Sequence, residues 1–432
     1  MKILMVSNTY LPVLGGLERS IQLFTEQFRH WGHEVLILVP EIGSRHRRET
    51  GVLRVPSFGK LSWRDFTAAH PWMRTAVQKI DRFSPDIIHA HHPFLMGEMA
   101  LRLSARLSAP LIFTYHILFS KYAHYLPLPT AAARRFLVEL SAGYANMAAR
   151  VISPSESVRK VLHSQGVCRP VDVVPTGVDL SRFGMLTREE KKRLRQSQSI
   201  PAHAFVLGYA GRIAPEKNLD FLARTVVRFM KKRPSVHFRV AGQGPSEEAV
   251  KGLFLRAGLG GRVSFLGALR GDELLRFYQG LDWFVFASRS ETQGMVLCEA
   301  MACGIPAAAL DGPGVREVLQ DGVNGCLLAR QDLDAFVSRL EQAETSPERK
   351  RLMMGRHARK SISRFALQRC ASDALDVYRA ALSADPRPSS TRLVRDWLSL
   401  KARLRAEWKM TSSLTRAVRL ALGEWIGRSL RA

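Results

Sequence analysis

Glu291 and Glu299 stand eight positions apart in SRSETQGMVLCEAMACGIP (288–306), a run that leaves a strand, passes Gly294 and becomes helical near Met295. Such a run is suited to sugar and phosphate chemistry. Gly294 permits a tight backbone approach, and the first helical N–H groups, those of Met295 and Val296, lack intrahelical partners and attract phosphate. Glu291, in the loop, can accept hydrogen bonds from sugar hydroxyls, and Glu299, one turn into the helix, can reach a ribose diol. Two solvated glutamates at a helix start would explain a lone pair of carboxylates, but not the whole string.

Elements that could hold these residues are legible along the chain. KILMVS (2–7), EVLILVP, DIIHAH, PLIFTYH, RVISPS and VDVVP read as strands, with an amphipathic helix from Ser20 to Trp31 between the first two. A second series follows the polar stretch 181–199, which reads as a linker with a short basic helix: FVLGYAGR, HFRVAGQGP, RVSFLGAL, WFVFASRS and GIPAAAL. Short apolar runs alternating with helical segments predict an α/β fold of two Rossmann-like, doubly wound domains facing a cleft. The expected divisions are 1–180, 181–365, a closing helix at 366–386 and a basic helical tail at 387–432. Ligands of open α/β sheets bind at the carboxyl ends of the strands. Those ends carry Gly15, Gly16, His91, His92, His116, Arg212, Lys217, Gly242, Gly244 and Glu291.

Composition narrows the function classes. The 432 residues are 46% hydrophobic and 24% charged, which excludes a wholly disordered or collagen-like chain. Lys and Arg exceed Asp and Glu by 64 to 38, leaving +26, a field that draws the protein to nucleic acid, anionic lipid or phosphorylated substrates. No zinc finger, RRM or helix-turn-helix signature accompanies that charge, so no nucleic-acid partner is expected. Five cysteines without a C-x-x-C pair point to neither a disulfide framework nor a zinc site. His89 and His91 alternate along one strand face, yet no nearby carboxylate or cysteine completes a metal site, and none is expected. No apolar run reaches the ~20 residues of a membrane span or forms a signal-peptide core, so the expected location is cytoplasmic, with peripheral membrane contact. In the tail, Leu414, Ala417, Val418, Ala421, Leu422, Trp425 and Ile426 share one helical stripe among eleven Lys and Arg and three acids. That is the pattern of an interfacial membrane helix, and also of a helix docked on its own core.

The 288–306 string resembles the Glu-x7-Glu signature of the retaining GT-B glycosyltransferases of family 4, and the similarity extends through most of residues 1–380. GYAGRIAPEKNLDFL resembles that family's second signature, which implies that Arg212 and Lys217 hold the donor diphosphate. Fixed positive charge suits a pyrophosphate leaving group, since no D-x-D pair stands at a strand end to supply magnesium. GGLERS (15–20) resembles the family's glycine loop beneath donor phosphates and acceptor, and FTYH places His116 where the family keeps a histidine beside the sugar's hydroxymethyl and the reacting carbon. VAGQGP, with Gly242 and Gly244, resembles the loop that passes the nucleotide, and RVSFLGAL the segment that cradles the base. The resemblance implies a UDP-sugar as donor substrate, no cofactor, and retention through a front-face, oxocarbenium-like displacement.

For the acceptor, HHPFLMGEMA and TYHILFSKYAHYLPLP look most like the branch that glycosylates diacylglycerol. Tyr122, His124 and Tyr125 occupy its aromatic stretch, while Ile117 departs from the usual Thr. Trp63, among other aromatics interleaved with basic residues, and Trp425 are the expected membrane-facing side chains. A hexose, glucose, passed to a lipid on an anionic membrane surface is the expected reaction. The rival acceptors are lipopolysaccharide, polysaccharide or a phosphatidylinositol-type lipid.

Overall fold

The computed structural model describes residues 1–13, 15–41, 49–60, 67–69, 74–123, 130–384, 409–410 and 413–414. The chain divides into two compact units, one of Met1–Gly177 together with the chain from Gln368 onward, the other Val178–Leu367.

In the first unit the elements are β1 (Lys2–Val6), α1 (Gly16–His30), β2 (Glu34–Pro40), β3 (Val52–Val55), a short antiparallel pair β4 (Ser57–Lys60) and β5 (Thr67–Ala69), α2 (Arg74–Phe83) and β6 (Ile87–Ala90). They continue as α3 (Met96–Leu107), β7 (Leu111–Thr114), α4 (Thr130–Ala145), β8 (Arg150–Ser153), α5 (Glu156–Ser164) and β9 (Val171–Val173). Seven strands form one parallel sheet in the order β3-β2-β1-β6-β7-β8-β9. Ile3, Leu4, Met5 and Val6 are fully buried, as expected of a central parallel strand covered by helices on both faces.

The second unit runs α6 (Arg188–Ser197), β10 (Phe205–Ala210), α7 (Leu219–Lys232), β11 (Val236–Ala241), α8 (Glu247–Arg256), β12 (Val263–Phe265), α9 (Gly271–Gln279) and β13 (Trp283–Phe286). It closes with α10 (Met295–Ala302), β14 (Ala307–Leu310), α11 (Val315–Val318), β15 (Gly325–Leu328), α12 (Leu333–Thr345) and α13 (Glu348–Ser361). Its six parallel strands lie in the order β12-β11-β10-β13-β14-β15, the doubly wound Rossmann arrangement. The last described helix, α14 (Leu367–Ala384), groups from Gln368 with the first unit, where Tyr378 is fully buried against Phe28.

Several elements differ from the sequence reading. α1 begins at Gly16 rather than Ser20, because the apolar series Leu17, Ile21, Phe24, Phe28 already runs from the first turn and is buried throughout. β3 and β15 were not anticipated; each is only four residues long. The polar stretch 181–199 does hold a short basic helix, α6, but that helix is fixed in place and is not solvated linker. Thr187 caps α6 in a reciprocal capping box with Glu190, and the helix is pinned by charge. Lys191 Nζ lies 3.0 Å from Asp282 Oδ1 and Arg195 2.6 Å from Asp282 Oδ2, while the Val206 N–H donates to the same carboxylate at 2.8 Å. Among the described residues no helix is long and apolar enough to cross a membrane. Trp63, Trp425, His124, Tyr125 and nearly all of the 387–432 tail lie outside the described residues.

Burial alone would raise the Asp282 carboxyl, but Lys191, Arg195 and the Val206 N–H outweigh it and hold its pKa below the ordinary 3.8. A lowered folded-state pKa means that the stabilisation is complete above 3.8 and is lost as pH falls through the lowered value. Asp282→Ala leaves the buried Arg195 and the half-buried Lys191 without their anion and should cost about 3 kcal/mol at neutral pH. We expect a lower urea midpoint, with the gap to the parent protein narrowing in acid; equal midpoints at pH 7 would show that the cluster does not anchor α6.

Candidate active site

In the second unit the sequence-predicted residues gather at the carboxyl ends of β10, β11 and β13. β10 ends at Ala210 and Gly211 turns the chain at φ 139°. Arg212 then stands exposed, without an ion-pair partner among the described residues, while its backbone carbonyl accepts from the buried Tyr209 hydroxyl at 3.0 Å. The loop after β11 lies directly against this turn. Gly242, at φ 148°, donates its N–H to Gly267 O at 2.7 Å, and a Cβ there would sit 1.9 Å from Gly211 O. Gly244 is equally confined, a Cβ meeting Ile213 O at 2.2 Å, and the Ile213 N–H donates to Gln243 O at 3.0 Å. Glycine is required at both positions because backbone meets backbone.

Lys217 ends a short 3-10 turn, and Asn218 follows in the left-handed region at φ 56° to open α7. Asn218 Nδ2 donates to Ala287 O at 3.2 Å and Ser290 Oγ donates to Glu216 O at 3.1 Å, which joins this turn to the loop after β13. Across that join Lys217 Nζ lies 2.5 Å from Glu291 Oε1, with side chains only 20% and 14% exposed. Gly294, at φ 75°, leads into α10, whose first residues Met295 and Val296 are half-buried. Val296 packs its side chain on the core, so only its backbone N–H is available to a ligand. Glu299 is 8% exposed and accepts from the Tyr278 hydroxyl at 2.8 Å, a partner that sequence did not indicate. Burial, with the Glu299 charge nearby, holds that hydroxyl far above its ordinary pKa. Gly314 was also missed: a Cβ there would meet Gln293 N at 2.6 Å, so it allows the 292–294 turn to pack closely.

In the first unit Gly15 is extended and exposed, and Gly16 opens α1. Glu18, in the first turn, is buried and accepts a hydrogen bond from Thr9 Oγ1; a first-turn acid reads in sequence as an ordinary helix start, so this pair left no signal. His116, half-buried, follows β7, and its Nε2 is 2.9 Å from His91 Nδ1. His91 Nε2 in turn meets Met5 Sδ at 3.3 Å. The His89 ring lies 4.1 Å from that of His91 between centroids, tilted by 36°, and His89 bonds Thr114 Oγ1 and the Tyr378 hydroxyl at 2.6 and 2.7 Å. His92 Nδ1 accepts from the Asn8 N–H at 3.2 Å. Burial pushes His89, His92 and His116 down to about 3, so all three rings are neutral at pH 7. Among the described residues no group of three or more His, Cys, Asp or Glu is arranged to hold a metal ion. Tyr122 is half-buried after a 3-10 turn at Phe119–Lys121.

Two family models match: "Glycosyltransferase Family 4" over residues 14–182 and "Glycosyl transferases group 1" over residues 190–361. A D-inositol 3-phosphate glycosyltransferase of Saccharomonospora viridis is 30% identical over 311 residues, 69% of this chain and 71% of that protein. The chain belongs to family 4 of the GT-B glycosyltransferases. An alpha-monoglucosyldiacylglycerol synthase of Streptococcus pneumoniae is 28% identical to this glycosyltransferase over 76% of the chain and 75% of its own length. A GDP-mannose-dependent alpha-mannosyltransferase of Mycobacterium tuberculosis is 28% identical over 84% of the chain and 92% of its own. Anabaena HepE, solved with UDP-glucose, shares the fold at a TM-score of 0.68 and 20% identity, covering 88% of this chain and 100% of that one.

The abutting loops of the second unit give a stability prediction. Gly242→Ala combines a disfavoured φ with a backbone clash and should cost about 2 kcal/mol or more. Thermal unfolding reads this directly; an unchanged midpoint would mean that the loops after β10 and β11 do not touch.

Proposed function

We propose that this glycosyltransferase moves a hexose, glucose, from a UDP-sugar to a membrane lipid such as diacylglycerol, with retention at the anomeric carbon and without a metal ion. The Lys217–Glu291 contact beside the exposed Arg212 carries the reading. A diphosphate arriving there meets one guanidinium with no ion-pair partner among the described residues and one ammonium already in place. Charge then develops on the departing phosphate where fixed cations stand, which is what lowers the barrier. Gly211, Gly242 and Gly244 line the approach with backbone alone, and the N–H groups opening α10 at Met295 and Val296 add a positive helix end. In this reading Glu291 and His116 hold the sugar, Glu299 the ribose, and Gly15 and Gly16 admit phosphate and acceptor. The departing phosphate helps to deprotonate the acceptor on the face it leaves.

The lipid acceptor is supported by the likeness to the pneumococcal alpha-monoglucosyldiacylglycerol synthase. The +26 balance supports a peripheral place on an anionic membrane surface, with Tyr122 near the acceptor. A second reading, transfer to an inositol-type acceptor or from a GDP-sugar, is favoured by the likeness to the inositol-phosphate and GDP-mannose enzymes.

Mass spectrometry of products formed from UDP-glucose or GDP-mannose, with diacylglycerol vesicles or inositol 3-phosphate, reports donor and acceptor together. Glucosyldiacylglycerol from UDP-glucose, undiminished by EDTA, is the expected product, and a mannosylated or inositol product would select the second reading. Arg212→Ala and Lys217→Ala should each lower kcat by about 100-fold or more. Near-normal turnover in either would sink the phosphate-clamp assignment.

A further inference from the structure

Helix α13 of the second unit is built inside out. A surface helix ordinarily buries its large apolar side chains and shows small or polar ones to water. Here Gly355 and Ala358 are buried, and of the three large apolar residues only Met354 packs on the core. Leu352 and Met353 are 52% and 49% exposed. At 3.6 residues per turn they share an arc of about 100° with Arg349, Arg356 and Lys360, all of them exposed, and Lys350 borders that arc. These four cations have no ion-pair partner among the described residues, and the helix's one acid, Glu348, is paired with Arg188 at 3.7 Å. The inner arginines are satisfied within the protein. Arg351 donates to Ser346 O at 2.5 Å and to Glu344 O at 2.9 Å, and Arg359 to Phe183 O at 2.6 Å and to Ala302 O.

The 183–188 segment runs beside this helix: Phe183 O holds Arg359, Met185 lies against Gly304, whose carbonyl would meet a Cβ on Gly355 at 2.4 Å, and Arg188 reaches Glu348. Met185, 38% exposed, thereby widens the apolar surface. We propose that the outer face of α13, with Met185 beside it, docks on an anionic lipid bilayer, Leu352 and Met353 entering the headgroup boundary while Arg349, Lys350, Arg356 and Lys360 meet the lipid charges. Four cations without protein partners call for an anionic partner, and protruding aliphatic side chains among them call for one with an apolar layer beneath its charge. A nucleic-acid duplex offers the first and not the second. The chain's own 387–432 tail, with eleven Lys and Arg to three acids, has the wrong sign. α13 is fastened to Ala302 and Gly304, at the end of α10 about 12 Å from the N–H groups that open it. Adhesion on that side leaves the carboxyl ends of β10, β11 and β13 uncovered. The inference deepens the membrane location proposed above and rests on it.

Sedimentation of the full-length protein with phosphatidylcholine vesicles, with and without phosphatidylglycerol, reads this surface without relying on activity. The parent should bind the anionic vesicles, less tightly as salt rises. Arg349→Gln, Arg356→Gln and Lys360→Gln together should weaken that binding about 100-fold. Leu352→Ser with Met353→Ser keeps every charge and should weaken it about tenfold. Lys231→Gln, Arg256→Gln and Arg276→Gln, an equal loss of exposed charge on other helices of the unit, should weaken it at most about threefold. Thermal midpoints of all three variants should match the parent's, since the altered side chains are exposed. Parent-like binding by either α13 variant, or an equal loss in the control, overturns the α13 surface while the membrane location stands. No binding by the parent overturns location and surface together. Tighter binding of the parent to a DNA duplex than to vesicles, lost with the α13 cations, overturns the lipid assignment and gives the face to nucleic acid.

Discussion

Each sheet has one place where the chain changes its direction of travel, and everything chemical in this protein hangs on it. In the first sheet the change falls between β1 and β6, and in the second between β10 and β13. Connections from the two central strands leave over opposite faces of the sheet, so no helix can cover the gap at their carboxyl ends. In the second unit Gly211 and Arg212 leave one side of that gap and the 287–291 loop the other, with Lys217 and Glu291 joined across it. In the first unit Ser7 to Thr9 and His91 with His92 flank the corresponding gap. Strand order, which is a matter of apolar runs and short connections, thereby decides which polar residues meet.

Polar groups at such strand ends are half inside the protein, and burial without a partner is costly. The structure meets that requirement by pairing them with one another. Glu299 takes the Tyr278 hydroxyl, Glu18 takes Thr9, His89 takes Thr114 and Tyr378, and His92 takes the Asn8 N–H. Pairing fixes rotamers and proton positions before any substrate arrives, which is the condition for electrostatic help at no reorganisation cost. It also ties the C-terminal α14 to the first sheet, because the Tyr378 hydroxyl that serves His89 is carried by that helix.

The parts read well from sequence are those set by local pattern. KILMV, EVLILVP and FVLGYA are uninterrupted apolar runs, and only buried parallel strands use them at that length. The start of α10 at Met295 was legible because Gly294 needs a left-handed backbone. What escaped depends on residues distant in the chain. Nothing near Glu299 announces Tyr278, and nothing near His116 announces His91 or, further back, Met5. A short basic helix was legible in 181–199, but the partner of its cations was not, because Asp282 lies some 90 residues on. β3, β4 and β15 have four residues each and β5 three, too short for alternation or an apolar run to stand out.

Pairing Lys217 with Glu291 also sharpens what the large positive charge means. An ammonium four-fifths buried is costly without a partner, and Glu291 lies 2.5 Å from it. Of the two cations, Arg212 is the one without an ion-pair partner among the described residues. A diphosphate that engages Lys217 must either share it with Glu291 or displace that carboxylate toward the sugar hydroxyls. In the second case donor binding itself turns Glu291 to its proposed task, so one salt bridge links capture of the phosphates to orientation of the sugar. Long-range attraction of the proposed diphosphate donor then falls to the surplus of cations elsewhere on the surface, which acts over about a Debye length and weakens with salt, whereas the buried contact does not.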